Sequence, residues 1–351
     1  MKILIQGTNW IGDAIMSVPA MIRLRQAFPN AEITLHTRRW AEGIFKDAEF
    51  FNSVVSYERS GSLFSDALSQ SRMLRPNQFD VGVVFPNSFV SAFTACLARI
   101  PERFGYATEA RRLLLTHPVK VPEWKEHRHE VFYYLNLVDH VIKTMQAENP
   151  VEDSLPQSRI KVSPLRREMA GKFLESNGVD IRKKTVALGV GSANSRAKRW
   201  PADRYAKLND HLQRELNANV VLLGASNEMD VANDVINLAK SKPCDLSGKT
   251  NLDMATAILS TVDLLISNDM GLAHIAPAVG TNTLVLFGPT DPETTRPYSE
   301  NATIIRRIVE CSPCMLRDCP IDHRCMTQIT VEDVFEKARI LLTDQKRIST
   351  L

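Results

Sequence analysis

Asn268-Asp269-Met270-Gly271-Leu272-Ala273-His274 decides how this chain is read. An apolar run over 262–267 leads into it, and an apolar helical pattern over 275–279 leaves it. A strand that ends on small residues and passes straight into a helix leaves the first backbone N–H groups and the positive helix end pointing outward. Such an end suits an anion, phosphate above all. A second stretch has the same form. Gly189-Val-Gly-Ser-Ala-Asn-Ser-Arg-Ala-Lys-Arg-Trp-Pro201 follows the β-branched run 185–190. Here Gly191, Ser192 and Ala193 allow close approach to the backbone, Lys198 and Arg199 bring charge, and Pro201 suits the first turn of a helix over 202–216. Either loop alone is a weak sign, because a glycine at a strand end often only makes a turn. Two of them in one half of the chain point to a nucleotide-diphosphate site.

The same alternation runs through the rest of the sequence. Strand-like runs at 2–6, 32–37 and 81–85 and helical patterns at 14–28 and 90–100 fill the first half. Runs at 185–190, 220–223, 263–267 and 283–287 and helical patterns at 202–216 and 255–260 fill the second. Alternation of this kind predicts parallel sheets with crossover helices, and two blocks of it predict two doubly wound, Rossmann-like α/β domains. The 351 residues are ample for two cores. Residues 148–164 carry Pro150, Pro156 and Pro164 among scattered charge and are the expected linker, which sets the domains at 1–160 and 161–330. The tail, 331–351, is preceded by Thr330-x-x-Asp333, a capping-box variant ahead of an amphipathic helix over 334–342.

Composition excludes some partners. With 43 basic and 40 acidic side chains, nothing global calls for nucleic acid. No apolar run is long enough to span a bilayer, and the opening Lys2-Ile-Leu-Ile-Gln6 reads as a strand rather than a signal peptide, so a cytoplasmic protein is expected. Cys311, Cys314, Cys319 and Cys325 crowd together around His323, ligand enough for a tetrahedral zinc site of structural kind. Their spacing fits no standard finger, and Pro313 and Pro320 suit a rigid surface loop.

Lys198-Arg-Trp-Pro201, Asn268-Asp269-Met-Gly271-Leu-Ala-His274 and Ile11-Gly12-Asp13, in that order and spacing, resemble glycosyltransferase family 9, the ADP-heptose:lipopolysaccharide heptosyltransferases. The resemblance runs essentially end to end. It implies a GT-B fold: two Rossmann-like domains facing a central cleft, acceptor on the N-terminal domain, nucleotide-sugar donor on the C-terminal domain, and the final helix, 331–351, packing back on the first. The implied activity is an inverting, metal-independent transfer of L-glycero-D-manno-heptose from ADP-heptose to the inner core of lipopolysaccharide, with heptose II addition as the expected step. The implied acceptor is phosphorylated Kdo-lipid A carrying a heptosyl core. Peripheral contact with the cytoplasmic face of the inner membrane follows, and neither cofactor nor metal is required.

Asp13 is the expected catalytic base, since it follows the loop after the first strand and the family's catalytic Asp stands at this place. The plainer reading of an Asp there is a helix cap. On the donor side Lys198 is expected at the diphosphate, with Asp269 and the N–H groups of Met270 and Gly271 framing its other end. Ser192, Ala193 and Asn194 would give backbone and amide contacts to phosphate, and His274 would bond phosphate or sugar unless it is a core histidine. Glu228 follows the run 220–224 and is placed to accept the ribose hydroxyls, the rival being a helix-start acid. Thr250 matches a family position near the adenosine, the rival being a cap for the helix after it. The family usually has Ser or Thr where this chain has Met270, so one hydroxyl contact is missing. The basic stretch 99–129, with Trp124, is where acceptor phosphates are sought. A GT-B sugar-nucleotide epimerase or hydrolase, and a non-catalytic nucleotide-sugar binding protein, remain as alternatives.

Overall fold

A computed structural model describes residues 1–147 and 157–343, and the chain divides into two units, Met1–Arg159 and Ile160–Leu351. Most of the expected linker, 148–156, lies outside the described residues. Pro164 opens the helix Pro164–Ser176, as suits a residue with a fixed φ and no N–H.

The first unit is built on strands β1 (Lys2–Gln6), β2 (Glu32–Arg38), β3 (Ser53–Tyr57), β4 (Val81–Val84), β5 (Glu102–Tyr106) and β6 (His117–Val119). They pair in the order β3-β2-β1-β4-β5-β6, every pair parallel. Ile3, Leu4 and Ile5 are all buried, which fits a central strand covered on both faces. The chain winds outward from β1 to β3 and then crosses back to β4, so β1 and β4 flank the switch point where open α/β sheets take their ligands. The helical pattern expected over 14–28 is two helices, Ile11–Met16 and Val18–Ala27. Pro19 has no N–H to continue the ladder, and the Ser17 hydroxyl donates to the Ala14 carbonyl at 2.8 Å. β3 went unread because only Val54 and Val55 in it are aliphatic.

The second unit pairs β7 (Thr185–Gly189), β8 (Asn219–Leu222), β9 (Cys244–Asp245), β10 (Leu264–Asn268), β11 (Asn282–Phe287) and β12 (Ala302–Arg306) in the order β12-β11-β10-β7-β8-β9, again all parallel. Its switch point lies between β7 and β10. Leu188, Ile266, Leu284, Trp200 and Tyr205 share one buried cluster with Val334 and Ala338 of the helix Val331–Thr343. That helix has one apolar face and spends it on the second unit, against β10, β11 and the Ala202–Glu215 helix. Residues 344–351 lie outside the described residues. Among the described residues, no helix is long and apolar enough to cross a membrane.

Candidate functional site

Asn268, the last residue of β10, is fully buried and spends its whole amide on the loop after β7. Its Nδ2 donates to the carbonyls of Val190 at 2.9 Å and Gly191 at 3.0 Å. Its Oδ1 accepts from the Trp200 backbone N–H and the Tyr205 hydroxyl, each at 3.0 Å. The two loops quoted above are thus one structure at the β7–β10 switch point, tied by a side chain with no capacity left for a ligand.

Asp269 follows, also buried. Its Oδ2 accepts from Lys198 Nζ at 2.6 Å and from the Thr290 hydroxyl at 2.7 Å. The expectation of Asp269 and Lys198 at opposite ends of a diphosphate is corrected here: the two side chains meet, and the carboxylate holds the ammonium. An ammonium has three N–H donors. Lys198 spends one on Asp269, and among the described residues it makes no other hydrogen bond. Next in the chain Met270 is extended, with φ −147° and ψ 176°, and Gly271 begins the helix Gly271–Ala278. The N–H groups of Gly271 and Leu272 have no partner within the helix, while the Ala273 N–H donates to the Met270 carbonyl at 3.0 Å. His274 is buried on that helix.

Glu228 is 3% exposed at the end of the turn Ser226–Glu228. One carboxyl oxygen, Oε2, accepts from the Ala225 N–H at 3.0 Å; the other, Oε1, is buried without a hydrogen-bond partner among the described residues. Burial lifts the carboxyl above its ordinary value, against the Ala225 N–H and the Arg199 charge. A Cβ on Gly191 would stand 2.3 Å from this carboxyl, so glycine there is required by Glu228 as much as by any ligand. An unsatisfied acceptor of this kind suits a hydroxyl donor. Glu228→Gln is expected to weaken ADP binding about tenfold and to leave a dideoxyribose analogue of ADP unaffected; equal losses in calorimetry would remove the ribose role.

Ser192 is buried, and its carbonyl accepts from Arg199 Nε and a terminal guanidinium nitrogen at 3.3 Å each. Ala193 and Asn194 are exposed. The capping reading of Thr250 falls away, because Asn251 caps the helix Leu252–Leu259, its Oδ1 accepting from the Met254 N–H at 2.9 Å. The cysteine-rich loop lies against the Lys198 turn. Ala197 N–H donates to the Arg317 carbonyl at 2.9 Å, Arg196 pairs with Asp318 at 2.6 Å, and His323 Nε2 meets the Ala197 carbonyl at 2.6 Å. All six thiols are free, Cys325 buried and Cys311 and Cys314 exposed. Among the described residues no three His, Cys, Asp or Glu side chains stand where they could share a metal ion.

In the first unit Asp13 lies in the first turn of Ile11–Met16, and no side chain caps that helix. The capping reading is thereby excluded. Instead Asp13 Oδ1 accepts from the Tyr134 hydroxyl at 3.2 Å. Burial, then the Glu130 charge, lift the Asp13 carboxyl to about 6, against the Tyr134 hydrogen bond and the Lys125 charge. Lys125 is itself paired with Glu130.

The β1–β4 end also carries a polar cavity lined by Gln6, His36, Tyr57, Arg59, Asp66 and Ser88 among others. Gln6 and His36 are buried, and Gln6 Oε1 and His36 Nε2 have no hydrogen-bond partner among the described residues. Burial pushes the His36 imidazole down to about 4, so it is neutral, and its ring stacks on Tyr57 at 4.7 Å. Sequence reading missed this group, since a Gln and a His inside apolar strands look like core residues. The basic stretch 99–129 does not act as one patch. Arg103 spends its guanidinium on the carbonyls of Leu114, Ile100 and Pro101, and Arg111 is fully buried against the Tyr106 carbonyl at 2.8 Å. Lys120 pairs with Glu123, and Arg128 stacks over Phe132 at 3.7 Å.

Comparison with known proteins bears on the family and the fold. Residues 67–324 match the family described as glycosyltransferase family 9 (heptosyltransferase). The chain is 28% identical to lipopolysaccharide heptosyltransferase 2 of Escherichia coli, over 99% of this chain and 100% of that one. It is 30% identical to lipooligosaccharide heptosyltransferase 2 of Haemophilus ducreyi, over 88% and 89%. The solved structure of E. coli ADP-heptose lps heptosyltransferase II superposes with a TM-score of 0.83 at 27% identity, covering 97% of this chain and 98% of that one.

Proposed function

The chain belongs to glycosyltransferase family 9, the heptosyltransferases, and from that premise we propose that it moves L-glycero-D-manno-heptose from ADP-heptose onto the inner core of lipopolysaccharide, adding the second heptose. The observation that carries a transfer reaction, as opposed to nucleotide binding alone, is Asp13, a carboxyl lifted to about 6 and held by Tyr134. A carboxylate of that basicity is ionised at neutral pH and still a useful proton acceptor. In the proposed step Asp13 takes the proton of the acceptor hydroxyl, whose oxygen forms the new bond to the anomeric carbon from the face opposite ADP. The bond from that carbon to the phosphate oxygen breaks, its electron pair leaves with ADP, and the configuration inverts.

Lys198 and the N–H groups at Met270 and Gly271 stabilise the departing diphosphate. A cation already fixed by Asp269 supplies the charge stabilisation that a divalent ion gives in other transferases. Ser192, Ala193 and Asn194 border the phosphates, Glu228 receives the ribose, and Thr250 and His274 flank adenosine and sugar. The cavity with Gln6 and His36 receives the acceptor saccharide. An acceptor anchored by lipid A places the chain peripherally on the cytoplasmic face of the inner membrane.

Incubation with ADP-heptose and heptosylated Kdo-lipid A tests this reading. A heptosylated product is expected. Free heptose or an epimer alone would establish the hydrolase or epimerase alternative, and no turnover would leave a binding protein. Full chelation with EDTA is expected to leave turnover unchanged. Rapid loss of turnover without unfolding, reversed by one metal, would overturn the metal-independent step.

A further inference from the structure

The helix Leu63–Leu74 turns an apolar stripe to solvent. Phe64 is 70% exposed and Leu68 43%, and Arg72 completes the i, i+4, i+8 series on one helix face. The stripe is widened by its neighbours. The Phe64 ring packs edge-on against Phe93 at 6.0 Å, and Phe93 stacks with the exposed Phe89 at 5.9 Å, both on the helix Phe89–Leu97. The turn Arg111–Leu114, which packs on that helix, carries Leu113 at 94% exposure. Nothing in the described residues covers this face.

Basic side chains outnumber acidic ones around it. Arg59, Arg72, Arg75, Arg99 and Arg112 stand exposed around it, and no ion pair forms with any of them among the described residues. Between residues 59 and 112 the acids are Asp66, buried on Ser60 and beside the Arg59 charge, Asp80, which accepts from the Lys2 backbone N–H, Glu102, which pairs with His117, and the exposed Glu109, which accepts from the Phe89 backbone N–H at 3.2 Å. An apolar face ringed by arginines in excess of acids complements an anionic lipid surface: the apolar side chains enter the acyl boundary and the guanidinium groups meet phosphates. The face also adjoins the polar cavity, since Leu63 and Val90, at the starts of the same two helices, line it.

We propose that the face formed by Phe64, Leu68, Phe89, Phe93 and Leu113, with Arg72 and Arg112, docks this chain on an anionic bilayer with the polar cavity held at the lipid surface. The inference deepens the reading of a membrane-anchored acceptor and rests on it for its purpose, but binding to vesicles needs neither donor nor acceptor.

The test is co-sedimentation of the full chain with phosphatidylethanolamine vesicles containing one quarter phosphatidylglycerol, and with pure phosphatidylcholine vesicles. Binding to the anionic vesicles is expected, with weak binding to the neutral ones and loss at high salt. F64D combined with L113D should weaken binding at least about tenfold, and R72E combined with R112E by more than about tenfold, since each arginine near such a surface contributes roughly a factor of five. Melting temperatures should stay near wild type, because all four side chains are exposed. Both variants should keep full turnover on a delipidated acceptor and lose it on a vesicle-embedded one. Wild-type protein that ignores anionic vesicles, or either folded double variant binding them normally, would overturn the proposal. So would sedimentation-velocity evidence that the face closes a dimer that F64D with L113D dissolves. Failure of transfer on the delipidated acceptor as well would strike the reading of the reaction, leaving the vesicle result to stand by itself.

Discussion

Asp13→Asn is expected to lower kcat at least about a hundredfold while ADP and ADP-heptose bind almost as before. Asparagine keeps the volume and an oxygen for the Tyr134 hydroxyl but cannot take a proton. The wild-type rate should follow the ionised fraction of Asp13. With the carboxyl lifted to about 6, turnover is near its plateau at neutral pH and falls about tenfold per pH unit below that midpoint. The same group makes an opposite statement about stability. A carboxyl raised on folding contributes stability that is present below its ordinary value of 3.8 and is lost as pH rises through about 6. Asp13→Asn should therefore raise the melting temperature at neutral pH while it abolishes turnover. A variant with near-normal kcat, or one that loses both activity and stability, would remove Asp13 from the chemistry.

Lys198→Ala is expected to weaken ADP and ADP-heptose alike, by about ten- to hundredfold, because a charge-assisted contact to the diphosphate is present in both and contributes about 1.5–3 kcal/mol. The structure adds a complication. Asp269 is buried, and removing Lys198 leaves it with Thr290 alone. Part of any loss could then come from a disturbed loop. Lys198→Ala combined with Asp269→Asn separates the two effects, since it removes the stranded charge: the melting temperature should recover and the affinity should not. Calorimetry with ADP is the measurement. An affinity that recovers with stability would make Lys198 a structural partner of Asp269 and nothing more.

Much of the fold was legible in the residues. Ile3-Leu-Ile5, Val186-Ala-Leu188 and Leu264-Leu-Ile266 are uniformly apolar because central parallel strands are buried on both faces. That pattern survives in a string of letters. β3 and the helix boundary at Ser17 were not legible, the first because edge strands need few apolar residues, the second because a proline two positions into a helical pattern is compatible with either one helix or two. The final helix showed its stripe but not its partner. Periodicity states that a face is apolar and is silent on which core receives it.

The sequence by itself determined that the chain is α/β and that two glycine-bearing turns follow strands in its second half, and it singled out Asp13, Lys198, Glu228 and Asp269 as candidate site residues. Such choices are written locally, in spacing and residue type. Tertiary structure alone decided what surrounds them. It joined the loops after β7 and β10 through Asn268, gave Lys198 to Asp269, set Glu228 beneath Gly191, and lifted Asp13 by burial beside Glu130. It also brought Gln6 and His36 from neighbouring strands to one cavity and spent Arg103 and Arg111 on backbone carbonyls. The reason is that strand order, β1 beside β4 and β7 beside β10, places residues tens of positions apart within a few ångströms. Hydrogen bonding, burial and the charge state of a carboxyl depend on that distance and on the water it excludes, and neither is a property of any segment read alone.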